Sequence, residues 1–118
     1  MLKARIAVMV SGGGTNLQAL LDAQAAGKLP SGEIVLVLAS NSKAYALERA
    51  KKAGIPGFAV SKKELGSQEA FEEGISKLLE EYRIDLIILA GFLSILSENF
   101  TAKWPRRILN IQIGRAHV

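Results

Sequence analysis

The sequence predicts an α/β protein with a Rossmann-like, doubly wound and mostly parallel sheet. Three observations predict it. Strand-like apolar runs alternate with amphipathic helical segments, the pattern of a parallel sheet wrapped by helices. The runs Val35-Leu36-Val37-Leu38 and Leu86-Ile87-Ile88-Leu89-Ala90 are apolar without a break, as strands buried on both faces are. A glycine-rich turn, Ser11-Gly12-Gly13-Gly14, joins the first apolar run to the first helical one. Right-handed crossovers between such strands give one doubly wound half.

Each element has its own signal. Residues 3–10 read as the first strand, nearly continuous in apolar residues from Ile6. Thr15 to Ala26 reads as the first helix, with Leu17, Leu20 and Leu21 on one face at the i, i+3, i+4 spacing. Thr15 and Gln18 fit a capping box, and Gly27 fits a C-terminal stop. Residues 33–40 form the second strand, and residues 44–53 a second helix closed by Gly54. Residues 57–60 form a short third strand. Ser67 to Tyr82 is a third helix, with Phe71, Ile75, Leu78, Leu79 and Tyr82 along one face. Gly74 weakens it by ~1 kcal/mol relative to alanine. Residues 85–90 make the fourth strand, residues 97–103 a short helix ended by Pro105, and residues 107–111 the fifth strand.

Composition bounds the function more weakly. The 118 residues allow one domain or part of one. An apolar content of 49% with 22% charged residues is ordinary for a globular chain and wrong for disorder. There is no cysteine, which excludes a disulfide scaffold and a thiolate metal site. The one histidine, His117, excludes a histidine metal cluster, so no metal is expected. The net charge of +4 comes from scattered basic residues, and only 6% of residues are aromatic. Nucleic-acid modules gather both on one face, so no nucleic-acid partner is expected. The apolar stretch after Arg5 runs only from Ile6 to Val10, too short for a leader. No run approaches the ~18 residues needed to span a bilayer. The expectation is a soluble cytoplasmic protein without a membrane partner.

Ligands of such sheets bind beyond the carboxyl ends of the strands, where the glycine turn lies. Glycines let backbone approach a ligand closely, and the free N–H groups at a helix start favour a phosphate. Thr15 and Asn16 add side-chain donors. A tight turn with no ligand is the bland alternative. A Walker loop is excluded because no lysine follows the glycines. The dinucleotide fingerprint is disfavoured, because Leu17 stands at its third glycine and Ser40-Asn41 where a ribose-binding acid belongs. A single terminal phosphate, as on a mononucleotide, fits better.

The segments VSGGGTNLQALLDA at 10–23, SNSKAYALERAKKAGIP at 40–56, LAGFLSILS at 89–97 and RILNI at 107–111 resemble, in order, the folate-dependent phosphoribosylglycinamide formyltransferase family. The resemblance runs over residues 3 to 111 and implies the formyltransferase fold, truncated after the fifth strand. It implies formyl transfer from 10-formyltetrahydrofolate, as co-substrate, to the amine of glycinamide ribonucleotide in purine synthesis. By resemblance, Gly14, Thr15 and Asn16 hold the ribonucleotide phosphate while Gly12 and Gly13 shape the loop. Leu93, Ser94, Ile95 and Leu96 fall on the folate segment; without the resemblance they read as a buried loop after a core strand. Asn110, at the end of the fifth strand, is the implied catalytic asparagine beside folate, donating to the developing oxyanion. On its own it reads equally as a turn residue.

Two positions depart from that family. Gln68 stands where a basic residue is frequent, so its folate contact is not carried over. Gln112-Ile113 stand where the family has a histidine and a proline, and glutamine cannot titrate near neutral pH. That histidine is the family's general acid/base, and its catalytic aspartate lies further along than residue 118. The tail Ile113-Gly114-Arg115-Ala116-His117-Val118 matches nothing in the family. The codons ATC GGA AGA GCA CAC GTC encode it and form part of a common sequencing-adapter oligonucleotide. In that frame the preceding codon ends in AG, and CAG is glutamine. The expectation is therefore that 1–112 is an amino-terminal, phosphate-binding part of an enzyme domain and that 113–118 is non-native. His117 then has no functional role, and the 118-residue chain alone is expected to be inactive or nearly so. A non-catalytic mononucleotide-binding module is the alternative. The related formyltetrahydrofolate hydrolase fits less well, because it lacks the SGGGTN loop. NAD-dependent oxidoreduction is weaker still.

Overall fold

The computed structural model describes residues 4–28, 31–41, 43–92, 96–104 and 107–111. Its elements run β1 (Ala4–Val10), α1 (Thr15–Ala25), β2 (Gly32–Ala39), α2 (Ala46–Lys52), β3 (Gly57–Ala59), α3 (Lys62–Leu65), α4 (Gln68–Glu81), β4 (Leu86–Ala90), α5 (Glu98–Lys103) and β5 (Ile108–Ile111). The strands form one sheet in the order β3-β2-β1-β4-β5, with every pairing parallel. The expected doubly wound fold is present. From β1 the chain steps outward to β2 and β3, then returns to lay β4 on the other side of β1 and β5 beyond it. The reversal of direction falls between β1 and β4.

Two apolar cores cover the two faces. On one, Leu17, Leu20 and Leu21 of α1 and Ala46 and Ala50 of α2 pack on Ile6, Val8 and Val10 of β1 and Ile88 and Ala90 of β4. On the other, Phe71, Ile75 and Leu79 of α4 and Phe100 of α5 pack on Ala7, Met9, Leu36, Leu38 and Ile87. Strand β1 is central, and its last five residues are buried. This is why it reads as a continuous apolar run rather than an alternating one.

Strand β2 carries an irregularity that its sequence hides. Ile6 pairs with Ile34, but Ala7 pairs with Leu36. The extra residue, Val35, shifts the side-chain parity, so Ile34 and Val37 share one face although three positions apart. An unbroken apolar run has no polar positions to betray such a shift.

The expected helices are present with two corrections. Thr15 and Gln18 do not form a capping box. Gly14 holds the cap position, in the left-handed region at φ 80°, and Thr15 is already the first helical residue, so its hydroxyl is one place too far along to cap. The Gln18 side chain is committed elsewhere, donating to Asp22 at 2.9 Å and accepting from Arg49 at 3.1 Å. The second correction is α3, a single turn absent from the sequence reading. Its signal was present: the Ser61 hydroxyl accepts from the Glu64 amide and Gly66 closes the turn in the left-handed region. The stops at Gly27 and Gly54 are in place, both at positive φ. Ser67 and Ser97 cap α4 and α5 by accepting from the amides of Ala70 and Phe100. Pro105 lies outside the described residues.

Candidate functional site

The crevice at the reversal point is built by two connections that leave the sheet in opposite directions. After β1 the chain turns through residues 11–14 into α1 on one face. After β4 it turns at Gly91, at φ 68°, and passes to α5 on the other. Adjacent parallel strands whose connections diverge leave an opening above their carboxyl ends.

The wall after β1 is almost entirely backbone. Gly12 and Gly13 are exposed, and a side chain at either would meet nothing within 4 Å. Gly14 differs. A Cβ there would lie 2.8 Å from the Ala46 Cβ and 3.0 Å from its Cα, on a backbone that already disfavours any side chain. The first amide of α1 to bond back is that of Gln18, to the Gly14 carbonyl at 2.8 Å. The amides of Thr15, Asn16 and Leu17 therefore have no acceptor within the helix, and no side chain caps them. These orphan donors and the positive helix end suit an anion. Asn16 is half-buried, and its amide nitrogen is 3.8 Å from where a Gly91 Cβ would sit, so it spans the two walls.

Arg49, on α2, braces this wall. Its Nε donates to the Gly13 carbonyl at 2.7 Å and a terminal nitrogen donates to Gln18 at 3.1 Å. The guanidinium lies over the Tyr45 ring, 5.0 Å from its centre. The sequence reading missed it, because contacts between residues 36 apart follow no local period.

The opposite wall carries Asn110. Register places Met9, Leu89 and Asn110 in one row across β1, β4 and β5. Two strand spacings put Asn110 roughly 10 Å from Met9 in that row. Asn110 is exposed and stands on the α4/α5 face, one residue below the β5 rim. Leu96 is half-buried against the core of that face. Leu93, Ser94, Ile95 and Gln112 lie outside the described residues, as does His117.

Below this wall Glu72 ties α4 to the start of α5. Its carboxylate accepts from the Ser97 amide at 2.5 Å, the Ser97 hydroxyl at 2.6 Å and the Gln68 side chain at 2.7 Å. Burial alone would raise its pKa. The Ser97 and Gln68 hydrogen bonds and the Lys103 charge outweigh it and hold the group below the ordinary carboxylate value. Beside it a cleft of about 760 Å³ opens between α4 and α5, lined, among the described residues, by Glu69, Glu72 and Glu73 against one cation, Lys103. That charge balance suits an anion poorly. Among the described residues no three His, Cys, Asp or Glu side chains converge on a metal position, and no helix is long and apolar enough to cross a membrane.

The family model for formyl transferase matches residues 4–112. The chain belongs to the formyl transferase family. It is 42% identical over 111 residues to the trifunctional purine biosynthetic protein adenosine-3 of Gallus gallus, covering 92% of this chain and 11% of that one. It is 39% identical over 107 residues to the phosphoribosylglycinamide formyltransferase of Haemophilus influenzae, covering 91% of this chain and 50% of the relative. Among solved structures, the phosphoribosylglycinamide formyltransferase of Brucella melitensis superposes with a TM-score of 0.87 at 37% identity, over 92% of this chain and 56% of that one. The chain thus spans about half the length of these single-function formyl transferases and about a tenth of the trifunctional protein. The half it spans contains the glycine loop, the reversal-point crevice and Asn110.

Proposed function

We propose that the protein of which this chain is part transfers a formyl group from 10-formyltetrahydrofolate to the amine of glycinamide ribonucleotide, a step of purine synthesis. The observation that carries the reading is the start of α1, where a left-handed glycine packs closely on Ala46 and the first three amides have neither an acceptor within the helix nor a side-chain cap. In this reading Gly12, Gly13 and Gly14 shape the phosphate cradle, and Thr15 and Asn16 supply donors to it. The folate co-substrate lies along Leu93, Ser94, Ile95 and Leu96 and reaches Asn110. The acidic cleft between α4 and α5 is left out, because its carboxylates repel an anionic tail.

In the reaction the ribonucleotide amine attacks the formyl carbon and its electron pair forms the new C–N bond. The carbonyl pair moves onto oxygen, and Asn110 donates its amide N–H to that oxygen. Collapse expels the folate nitrogen, which takes up a proton while the attacking amine gives one up. Loss of one such donor costs ~2.7–4 kcal/mol of transition-state stabilisation. The reading implies a cytoplasmic enzyme of two small-molecule substrates that needs no metal for this step. Residues 1–112 form its phosphate-binding part, and 113–118 are non-native; sequencing the locus across codon 112 tests that division.

The decisive assay supplies both substrates to the full-length polypeptide that carries these residues. Tetrahydrofolate should appear only when glycinamide ribonucleotide is present. Release without the ribonucleotide, which is hydrolysis, would overturn the proposal, as would phosphate binding without any turnover.

A further inference from the structure

Gly12 and Gly13 carry no side chain to anchor them, a Cβ at either would meet nothing within 4 Å, and glycine backbone is the freest there is. A loop with this composition does not hold its amides in one direction unaided. We propose that Arg49 is the positioning residue of the loop: by holding the Gly13 carbonyl it fixes the Gly13–Gly14 peptide so that the Gly14 amide faces the bound phosphate. This rests on the phosphate reading given above.

No cis peptide occurs among the described residues, so the Gly13 carbonyl and the Gly14 N–H point in opposite directions. The Arg49 Nε pulls the carbonyl toward α2 at 2.7 Å. The amide of the same peptide is thereby turned away from α2, toward the side where α1 begins. Arg49 is itself held at two further points, one of them braced in turn. It donates to Gln18 of α1, it lies over the Tyr45 ring, and that ring accepts at its hydroxyl from Lys52 at 3.2 Å. Glycine at 14 is what lets α2 come this close, since the Arg49 Cδ is only 3.3 Å from where a Cβ would be. A planar fork is needed to bond two acceptors in fixed directions. Lysine would bring the charge without the fork.

The test uses the full-length polypeptide with Arg49→Lys, Arg49→Gln and Gln18→Ala. Inorganic phosphate and glycinamide ribonucleotide are titrated, and KM is measured for each substrate. Both Arg49 variants should weaken phosphate and raise the ribonucleotide KM by about tenfold or more, the scale of a lost charge-assisted hydrogen bond. The folate KM should stay within about twofold of the parent, a smaller change than one lost neutral hydrogen bond. Gln18→Ala, which leaves α2 untouched, should shift phosphate in the same direction by a smaller factor. Full recovery by Arg49→Lys would overturn the proposal, because charge alone would then suffice. Equal changes in both KM values, or a fall in thermal stability with no KM change, would also overturn it. If the parent itself binds neither phosphate nor the ribonucleotide, the phosphate reading fails and this inference with it.

Discussion

The two faces of the sheet are made of different material, and the difference extends to the two walls of the crevice. The α1/α2 face is rich in small residues: Ala39, Ala44, Ala46 and Ala50 all lie in its core. Helix α2 accordingly comes closer to the strand backbone than α4 does. At the rim this closeness becomes contact between Ala46 and the backbone of Gly14. The α4/α5 face is filled by Phe71, Phe100, Trp104 and Met9. Bulky side chains hold those helices off, and the link to the rim is made by the long side chain of Glu72 reaching Ser97. One wall is therefore set by close approach at a glycine, with Arg49 bracing it from α2, and the other by the Glu72 strut that spans a wider gap. The first arrangement suits an anion cradled by amides.

Four substitutions test that contrast, in falling order of expected effect. Phe71→Ala should cost ~3–5 kcal/mol in urea unfolding, because a fully buried ring on the bulky face leaves a cavity that its neighbours cannot close. Gly14→Ala should cost ~2–3 kcal/mol, combining a left-handed alanine with overpacking against Ala46, and should abolish phosphate binding. If Gly14→Ala is harmless, close approach does not position the first wall.

Glu72→Gln should cost ~1–2 kcal/mol at neutral pH, the worth of hydrogen bonds to a charged group at a half-buried site. The sign follows from linkage. The folded pKa lies below the reference 4.5, so the carboxylate's contribution is complete above that value and is lost as pH falls through the folded pKa. Parent and variant should therefore converge in urea midpoint between about pH 4.5 and strongly acidic pH. A gap that persists undiminished at low pH would show that the charge is not what holds Ser97. Gly74→Ala should stabilise by up to ~1 kcal/mol, since α4 gains helix propensity and the new Cβ meets Leu65 and Val60 at an ordinary 3.6 Å. Destabilisation there would mean that the bulky face has no room for a methyl group.

Much of this architecture was legible in the sequence because it rests on local rules. Strand and helix order followed from apolar runs and i, i+3, i+4 spacing, and Gly27 and Gly54 marked helix ends through their need for positive φ. The glycine loop was legible because a strand, three glycines and a helix occur in immediate succession. The shift at Val35 was not, since parity leaves no trace in a run apolar on both faces. The cap of α1 was misread, because Thr15 looks like a cap by residue type while Gly14 fills that place by conformation. Arg49 and Glu72 escaped for another reason. Each reaches a partner on a distant segment, and only the packing of α2 and α4 brings them there.

The central claim is that the ligand anion sits on the glycine loop and not in the acidic cleft across the sheet. Amide chemical shifts of the isotopically labelled full-length polypeptide, followed while glycinamide ribonucleotide is added, test this most directly. The account predicts saturable shifts at Gly12, Gly13, Gly14, Thr15, Asn16 and Leu17, with Glu69 and Glu73 unmoved. Shifts centred on α4 and α5 with a silent glycine loop would contradict it.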